Sequence, residues 1–469
     1  MTSGPPLDFA CLENFGHSLR STAFVLRPTT VEEIRTALRT AADHGMTVTV
    51  RGAGRSYNDA SLNSGQLVLD LSKLNRILEW DSSSGRLTCE PGVTLEQAWK
   101  QVEPDGWWPP VVSGTMRTTL GGCLAANIHG KNNFQRGPIG EHVTAFSALL
   151  ADGTEVKCTP DDQPDLFFSM IGGFGLLGIF TSITLQMKPV ASGLLTVDAW
   201  PSKNLEEHVH DLLEHAPHFD YIVGWVDTIA GGRGLGRGQI HAARYLPAEQ
   251  DPSPEQSRRL DRQVLPDRLF AVFPKSLLHY FMQPFVNNLG WRAVNQAKYI
   301  SALRHHSFRQ SHAAFHFLLD YVPSWELSYG SGGLIQYQSF LPKDSAVRAW
   351  TEMLALSHKH RLPSYLGVTK RHRPDKFLLS HALDGFSLAM DFKVTHANRQ
   401  PLARLLEDFD QIVLEAGGRF YFAKNSETSA ATARRFLGEE ALSQFRRLKL
   451  RCDPQGLLES DLYRRVFVS

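Results

Sequence analysis

The sequence predicts a mixed fold of the α+β or α/β kind, and three observations point to it. Strands and short helices interleave over residues 30 to 100. A run of strict period two stands at Ile179, Thr181, Ile183, Leu185 and Met187, and Pro189 ends it. Three later runs, Ile335–Phe340, Tyr365–Thr369 and Phe386–Phe392, have the composition of strands in one sheet.

The elements follow in order. Thr30 and Glu33 form a capping box for a helix with apolar residues at Ile34, Ala37, Leu38 and Ala41, stopped at Gly45. Strands are expected at Met46–Val50, Gln66–Asp70 and Arg86–Glu90, and a second capping box lies at Thr94 and Gln97. Between Pro109 and Gly140 periodicity fades and Gly, Asn and Thr accumulate, the pattern of a loop that wraps a ligand. Gly231–Gly238 and Pro247–Arg259 read as loops. Leu265–Trp291 carries Leu269, Phe270, Val272, Phe273, Leu277, Leu278, Tyr280, Phe281 and Phe285 at mixed spacing. One or two buried core helices are the favoured reading of this segment, and a greasy surface for a lipid-like tail is the other. The basic run Arg304–Arg309 reads as a surface loop. A long helix, Leu402–Ala416, ends at Gly417-Gly418 and leads into Arg419–Lys424.

With 469 residues, 42% of them apolar, the chain has material for two or three domains. Its 49 Lys and Arg balance 48 Asp and Glu, so no global field draws it to nucleic acid, and no nucleic-acid partner is expected. Cys11, Cys89, Cys123, Cys158 and Cys452 form no C-x-x-C pair, which favours free thiols in a reducing compartment and argues against a metal site. No apolar run approaches the roughly 18 to 20 residues of a membrane span. A cytoplasmic location is expected, and peripheral contact at the inner face of the plasma membrane stays open because it needs only an apolar patch.

Gly173-Phe-Gly-Leu-Leu-Gly178 matches the dinucleotide-binding spacing G-x-G-x-x-G, but a strand follows it where that motif needs a helix, so it is not read as a nicotinamide site. Val50–Tyr57 is a better phosphate cradle. It leaves a strand through two glycines and offers successive amides beside Arg51, Arg55 and Ser56. Ser113-Gly-Thr115 and Gly121-Gly122 supply further glycine-bearing walls, and three such walls favour a large phosphorylated cofactor.

The run Arg51–Asp59, then Pro91-Gly-Val93, Ser113–Thr115, Gly121-Gly122, His129-Gly-Lys-Asn132, Gly173–Ile179 and Asp453-Pro454 resembles the FAD-linked oxidases of the vanillyl-alcohol oxidase type. Within that group His129–Asn132, Gln336-Tyr-Gln338, Lys370 and Gly417–Lys424 are similar to the decaprenylphosphoryl-β-D-ribose 2′-oxidases. The resemblance implies an α+β chain with a two-part FAD-binding domain (1–195), a substrate or cap domain built on an antiparallel sheet with helices (196–412) and a C-terminal segment returning to the FAD domain (413–469). It implies that FAD is surrounded by Arg51, Gly52, Ala53, Gly54, Arg55, Ser56, Tyr57, Asn58, Asp59 and Ala60, by Gly114, Thr115, Thr119, Leu120, Gly121 and Gly122, by Ala126, Asn127, Ile128 and His129, and by Gly178, Ile179 and Tyr421. Tyr57, Lys131, Gln336, Gln338 and Lys370 then line the substrate side. Many relatives hold FAD covalently through a His in the first loop; Arg55 takes that position here and cannot form the bond, so dissociable FAD is expected. Ala389 replaces a cysteine that covalent nitroaromatic inhibitors attack in the mycobacterial enzymes, so insensitivity to that route is expected.

Oxidation of a secondary alcohol by a flavin needs a base within hydrogen-bond reach of the hydroxyl and a positive group near the reduced ring. Lys424 and His129 are the candidates, with Lys424 as base or hydroxyl anchor and His129 orienting substrate or sharing the proton. Without the resemblance, a loop histidine and a solvated strand-end lysine are the plainer readings. The expected reaction is oxidation of the 2′-hydroxyl of a polyprenyl-phosphoryl-β-D-ribose, with an NAD(P)H-dependent keto-sugar reductase as pathway partner. The alternatives are an oxidase of a soluble sugar, alditol or lactone, and a non-catalytic flavin-binding subunit. Lys131 and Lys370 are expected to pair with a substrate phosphate.

Overall fold

The computed structural model of the chain describes residues 7–265, 268–269, 273–303 and 306–468. The fold is α+β and contains three principal sheets. The first is small, with strands in the order Asp8–Glu13, Arg20–Leu26, Leu67–Asp70, Val48–Arg51; the last three run parallel. Helix Val31–Asp43 makes the crossover and buries Ile34, Ala37, Leu38 and Ala41, the stripe its spacing foretold. Thr30 caps it through Glu33 N, but the Glu33 carboxylate turns to Thr29 N at 2.7 Å instead of closing the box on Thr30. The box at Thr94 and Gln97 is complete.

The second sheet is antiparallel, in the order Ile77–Asp81, Arg86–Cys89, Ile179–Gln186, Val143–Leu149, Glu155–Cys158. The period-two strand lies at its centre, with Ile179, Ile183 and Leu185 buried. The third has eight strands, all antiparallel: His306–Ser311, Leu194–Ser202, Gly238–Tyr245, Tyr221–Val226, Leu366–His372, Gly385–Lys393, Leu334–Pro342 and Arg419–Phe420. All three runs assigned to one sheet from their composition are members.

The chain end closes on the first sheet. Val48 N donates to Leu457 O at 2.7 Å, and Val48 bridges Leu458 in parallel. Asp453 accepts from the amides of Leu457 and Leu458, both at 2.7 Å.

Two expectations need correction. Within Leu265–Trp291, the described residues Leu277, Tyr280, Phe281 and Phe285 are exposed, so this is not a core helix; its inner face buries only Val286, Trp291 and a few neighbours. Phe270 and Val272 and the side chains of Leu269 and Phe273 lie outside the described residues. The run read as a basic loop supplies the edge strand His306–Ser311, paired with Leu194–Ala199, because its own alternation fits the sheet; Arg304 and His305 lie outside the described residues.

Candidate active site

A cavity of about 280 Å³ lies between the glycine-rich loops and one face of the eight-stranded sheet. The strand register explains that face. Gln338 and Val368 both pair with Ala389, Lys370 pairs with Ser387, and Gln336 and Leu366 pair with Asp391, so alternation brings these eight side chains to one side. Gln336, Gln338, Leu366, Val368, Lys370, Ser387 and Ala389 line the cavity, and Asp391 is buried beneath it. The opposite wall is Gly52–Tyr57, Ser113–Thr115, Thr119, Gly122, Ala126, Ile128 and His129, with Tyr421 and Lys424 between the two.

The loops fit a phosphorylated cofactor. Gly54 adopts φ +64°, and the N–H groups of Ala53, Gly54, Arg55 and Ser56 have no acceptor among the described residues, an arrangement that makes an anion nest. A Cβ at Gly52 would lie 2.1 Å from Thr119 Oγ1, so only glycine lets the two walls approach. A smaller adjoining cavity of about 60 Å³ shares Val50, Gly52, Thr119, Gly122, Ala125 and Phe174 with the first and adds Arg51, Gly121, Gly178 and Ile179.

Not every expected residue faces a cavity. Asn58 accepts from Ala60 N at 3.1 Å, Asp59 pairs with Arg465, Leu120 is core, and Asn127 accepts from Gly140 N at 3.0 Å. These four stand behind the walls and hold them. The Arg51 guanidinium is engaged by Glu13 O at 2.8 Å and Ser61 Oγ at 3.1 Å, which fixes the loop rather than leaving the charge for a ligand. Arg55 stacks 5.0 Å from the Phe15 ring centroid and lies 3.8 Å from Glu326, with Nε buried and without a hydrogen-bond partner among the described residues.

Lys424 sits in a turn pinned to the glycine loop, where Tyr57 N donates to Ala423 O at 3.0 Å. Its Nζ lies 3.9 Å from the Tyr57 ring centroid and makes no hydrogen bond among the described residues. Burial, reinforced by Lys370, holds the amine well below the ordinary lysine range despite the opposing carboxylate of Asp391. Asp391 Oδ1 accepts from Gln336 at 2.5 Å, Oδ2 has no hydrogen-bond partner among the described residues, and burial pushes this carboxyl upward. Lys370 is pushed down to about 8 by burial.

His129 is buried and accepts from Gln338 Nε2 at 3.2 Å; its Nδ1 has no partner among the described residues. His372 and His381 lie against it, with ring centroids 4.8 and 5.2 Å away. Burial first, then Lys370 and the neighbouring histidines, keep His129 neutral. Lys131 is also buried, donates to Phe315 O and His316 O, and is held far below its usual range by burial and Lys370. Tyr421 donates to Ala126 O at 2.8 Å, tying the sheet side to the loop before His129.

Asp391, His372, His381, His316 and Asn425 escape a reading of the sequence. Asp391 carries a signal, since it stands two residues past Ala389 on the cavity-facing register. His316, which lines the cavity, and Asn425, whose side chain accepts from Gln338 N at 3.2 Å, carry none. Among the described residues no group of three or more His, Cys, Asp or Glu is placed to hold a metal, and no helix is long and apolar enough to cross a membrane.

Comparison with known proteins agrees with this geometry. A sequence model of the FAD binding domain matches residues 22–159. The chain is 31% identical over 465 residues to the decaprenylphosphoryl-β-D-ribose oxidase of Mycolicibacterium smegmatis, covering 97% of each protein. It is 28% identical over 195 residues to the L-gulonolactone oxidase of Mus musculus, covering 42% of this chain and 43% of that one. It is 28% identical over 243 residues to cytokinin dehydrogenase 10 of Oryza sativa, covering 47% of this chain and 43% of that one. The glycine cradle, the lysine-bearing sheet face and a likeness that runs nearly end to end place the chain in one family: it belongs to the FAD-linked oxidases of the vanillyl-alcohol oxidase type, together with decaprenylphosphoryl-β-D-ribose oxidase.

Proposed function

We propose that the protein oxidises the 2′-hydroxyl of a polyprenyl-phosphoryl-β-D-ribose to the 2′-keto sugar. This is the first half of an epimerisation to the arabinose form, which an NAD(P)H-dependent keto-sugar reductase completes. The observation that carries the reading is a surplus of buried cations. Lys131, Lys370 and Lys424 line one cavity, and all three are pushed toward the neutral amine. An anionic phosphate there restores charge to Lys131 and Lys370 and offsets the cost of burying them.

FAD, held by the nest at Ala53–Ser56 and the walls at Gly52, Gly114 and Gly122, supplies the hydride acceptor when bound. Lys424 takes the hydroxyl proton at Nζ, a role that its depressed proton affinity suits. His129, neutral and held by Gln338, orients the hydroxyl by hydrogen bonding. Gln336, anchored on Asp391, and Gln338 fix the sugar, while the Tyr57 ring supports the Lys424 amine. Arg55 forms no covalent bond to the flavin, so the cofactor dissociates on denaturation.

The test is the visible absorption of the flavin under anaerobic conditions. Bleaching by lipid-linked ribose and not by free sugars is the expected result. Bleaching by free polyols or lactones alone would move the assignment to a soluble-sugar oxidase, a class supported by the lactone oxidase match over 42% of the chain. A bound flavin that nothing bleaches would leave a non-catalytic subunit.

A further inference from the structure

More than half of the exposed large apolar side chains among the described residues fall within residues 260–303, less than a tenth of the chain. Tyr280 is 64% exposed, Phe285 60%, Leu289 81%, Ile300 54% and Leu303 57%. Helix Asn288–Ala302 is apolar on two faces. Trp291 and Ala302 are buried with Asn295, while the helical period puts Leu289, Ala293, Ile300 and Leu303 on the opposite side. A helix apolar on both faces is normally buried on both, and among the described residues nothing covers the outer face.

The charge pattern says what kind of partner fits. From Arg268 to Leu319 the sequence contains no Asp or Glu, but carries Arg268, Lys275, Arg292, Lys298, Arg304 and Arg309, in a protein whose net charge is only +1. Of these, Arg292 is exposed and flanks the apolar face and Arg309 is exposed on the edge strand, whereas Lys275 is buried and Lys298 lies inward, 3.6 Å from the Trp225 ring centroid. A self-complementary contact between two copies would bring cation toward cation, whereas an anionic bilayer satisfies both the apolar face and its basic flank. The inner side of the same segment belongs to the site. Val286 and Trp291 share an apolar cluster with Tyr57, Trp325 and Leu319, and these last three line the cavity.

From this juxtaposition we infer that residues 277–303 form a docking surface for an anionic phospholipid bilayer, which brings the cavity to the membrane surface. The inference rests on the substrate reading above, since a polyprenyl-linked sugar resides in a bilayer and this placement lets it enter without crossing water. Interfacial helices combine an apolar face with cations in the same way.

The test floats the full-length protein with vesicles of phosphatidylglycerol and phosphatidylcholine, and with phosphatidylcholine alone. Flotation with the anionic vesicles only, released by high salt, is expected. The double variant Leu289→Asp/Ile300→Asp should bind them at least about tenfold more weakly, with flavin content and Tm unchanged because both positions face solvent. Arg292→Glu, which leaves the apolar face intact, should weaken binding severalfold and keeps the test decisive if the double variant misfolds. A wild-type protein that ignores anionic vesicles overturns the inference. So does one that instead forms a dimer which Leu289→Asp/Ile300→Asp dissociates. Bleaching by a short, water-soluble prenylphosphoryl ribose separates this inference from the substrate reading. Flotation without bleaching refutes the substrate and leaves the surface standing, and bleaching without flotation does the reverse.

Discussion

At the scale of single residues, the site turns on how burial divides protons among like charges. Lys424 and His129 are both candidate bases, and burial treats them differently. His129 is buried among Lys370, His372 and His381, so its charged form is strongly disfavoured and it stores a proton poorly. Lys424 faces the buried carboxylate of Asp391, which partly offsets its desolvation and leaves it able to cycle between amine and ammonium. The rate of flavin reduction should therefore rise with pH as Lys424 loses its proton, then level off well below the ordinary lysine value of 10.5. Stopped-flow reduction across pH checks this, and a plateau reached only near that value would assign the proton elsewhere. Lys424→Ala should slow reduction by about 10² to 10⁴-fold. Lys424→Arg should not rescue it, because a guanidinium does not give up its proton at any working pH. Ala389 lines the cavity with no thiol in its strand, and Cys123, which also lines it, is buried with its thiol pushed up to about 12, so nitroaromatics that trap a cysteine should leave no adduct on the wild type. Ala389→Cys should gain one, read by intact-protein mass.

At the scale of elements, legibility followed periodicity. The capped helix Val31–Asp43, the strand Ile179–Gln186 and the three sheet strands were readable because burial on one face leaves a period in the sequence. The segment 265–291 misled because its apolar residues have no single period; a chain that uses apolar side chains on both an inner and an outer face looks like core. Residues that close the cavity from unrelated elements, such as Leu319, Trp325 and His316, left no local mark. The glycine loop was legible, and it yields a sharp prediction. Gly52→Ala should expel FAD, since its Cβ would meet Thr119 Oγ1, and Thr119 itself caps the next helix through Gly122 N. Flavin content after gel filtration measures it. In the same loop, Arg55→His should gain a fraction of flavin that survives acid denaturation, the sign that this position matches the covalent histidine of relatives.

For the whole molecule, the C-terminal segment packs against the glycine-loop end of the chain through several links, and a buried lysine is the one that reaches both walls. Lys449, in helix Glu439–Cys452, donates to Leu176 O at 2.9 Å, to Asp453 at 2.6 Å and to Leu458 O. Leu176 belongs to the Gly173–Gly178 turn that ends at the smaller cavity, and Leu458 bridges Val48 in the strand leading into the glycine loop. One ammonium thus ties the C-terminal segment to both N-terminal walls of the cofactor site. The Asp453 side chain is fully buried, so Lys449→Met leaves its carboxylate with two amide donors but no countercharge and deprives two carbonyls of their ammonium donor, and a loss of about 3 to 5 kcal/mol in urea unfolding is expected. Part of that loss should appear as weaker FAD retention, because the walls at 48–52 and 173–178 lose their common anchor. Lys449→Met combined with Asp453→Asn should recover some of the stability by removing the unpaired charge. It should recover less of the FAD affinity, since the link to Leu176 is still missing. Equal recovery of both would mean that Lys449 acts only on the stability of the fold and not on the shape of the cradle.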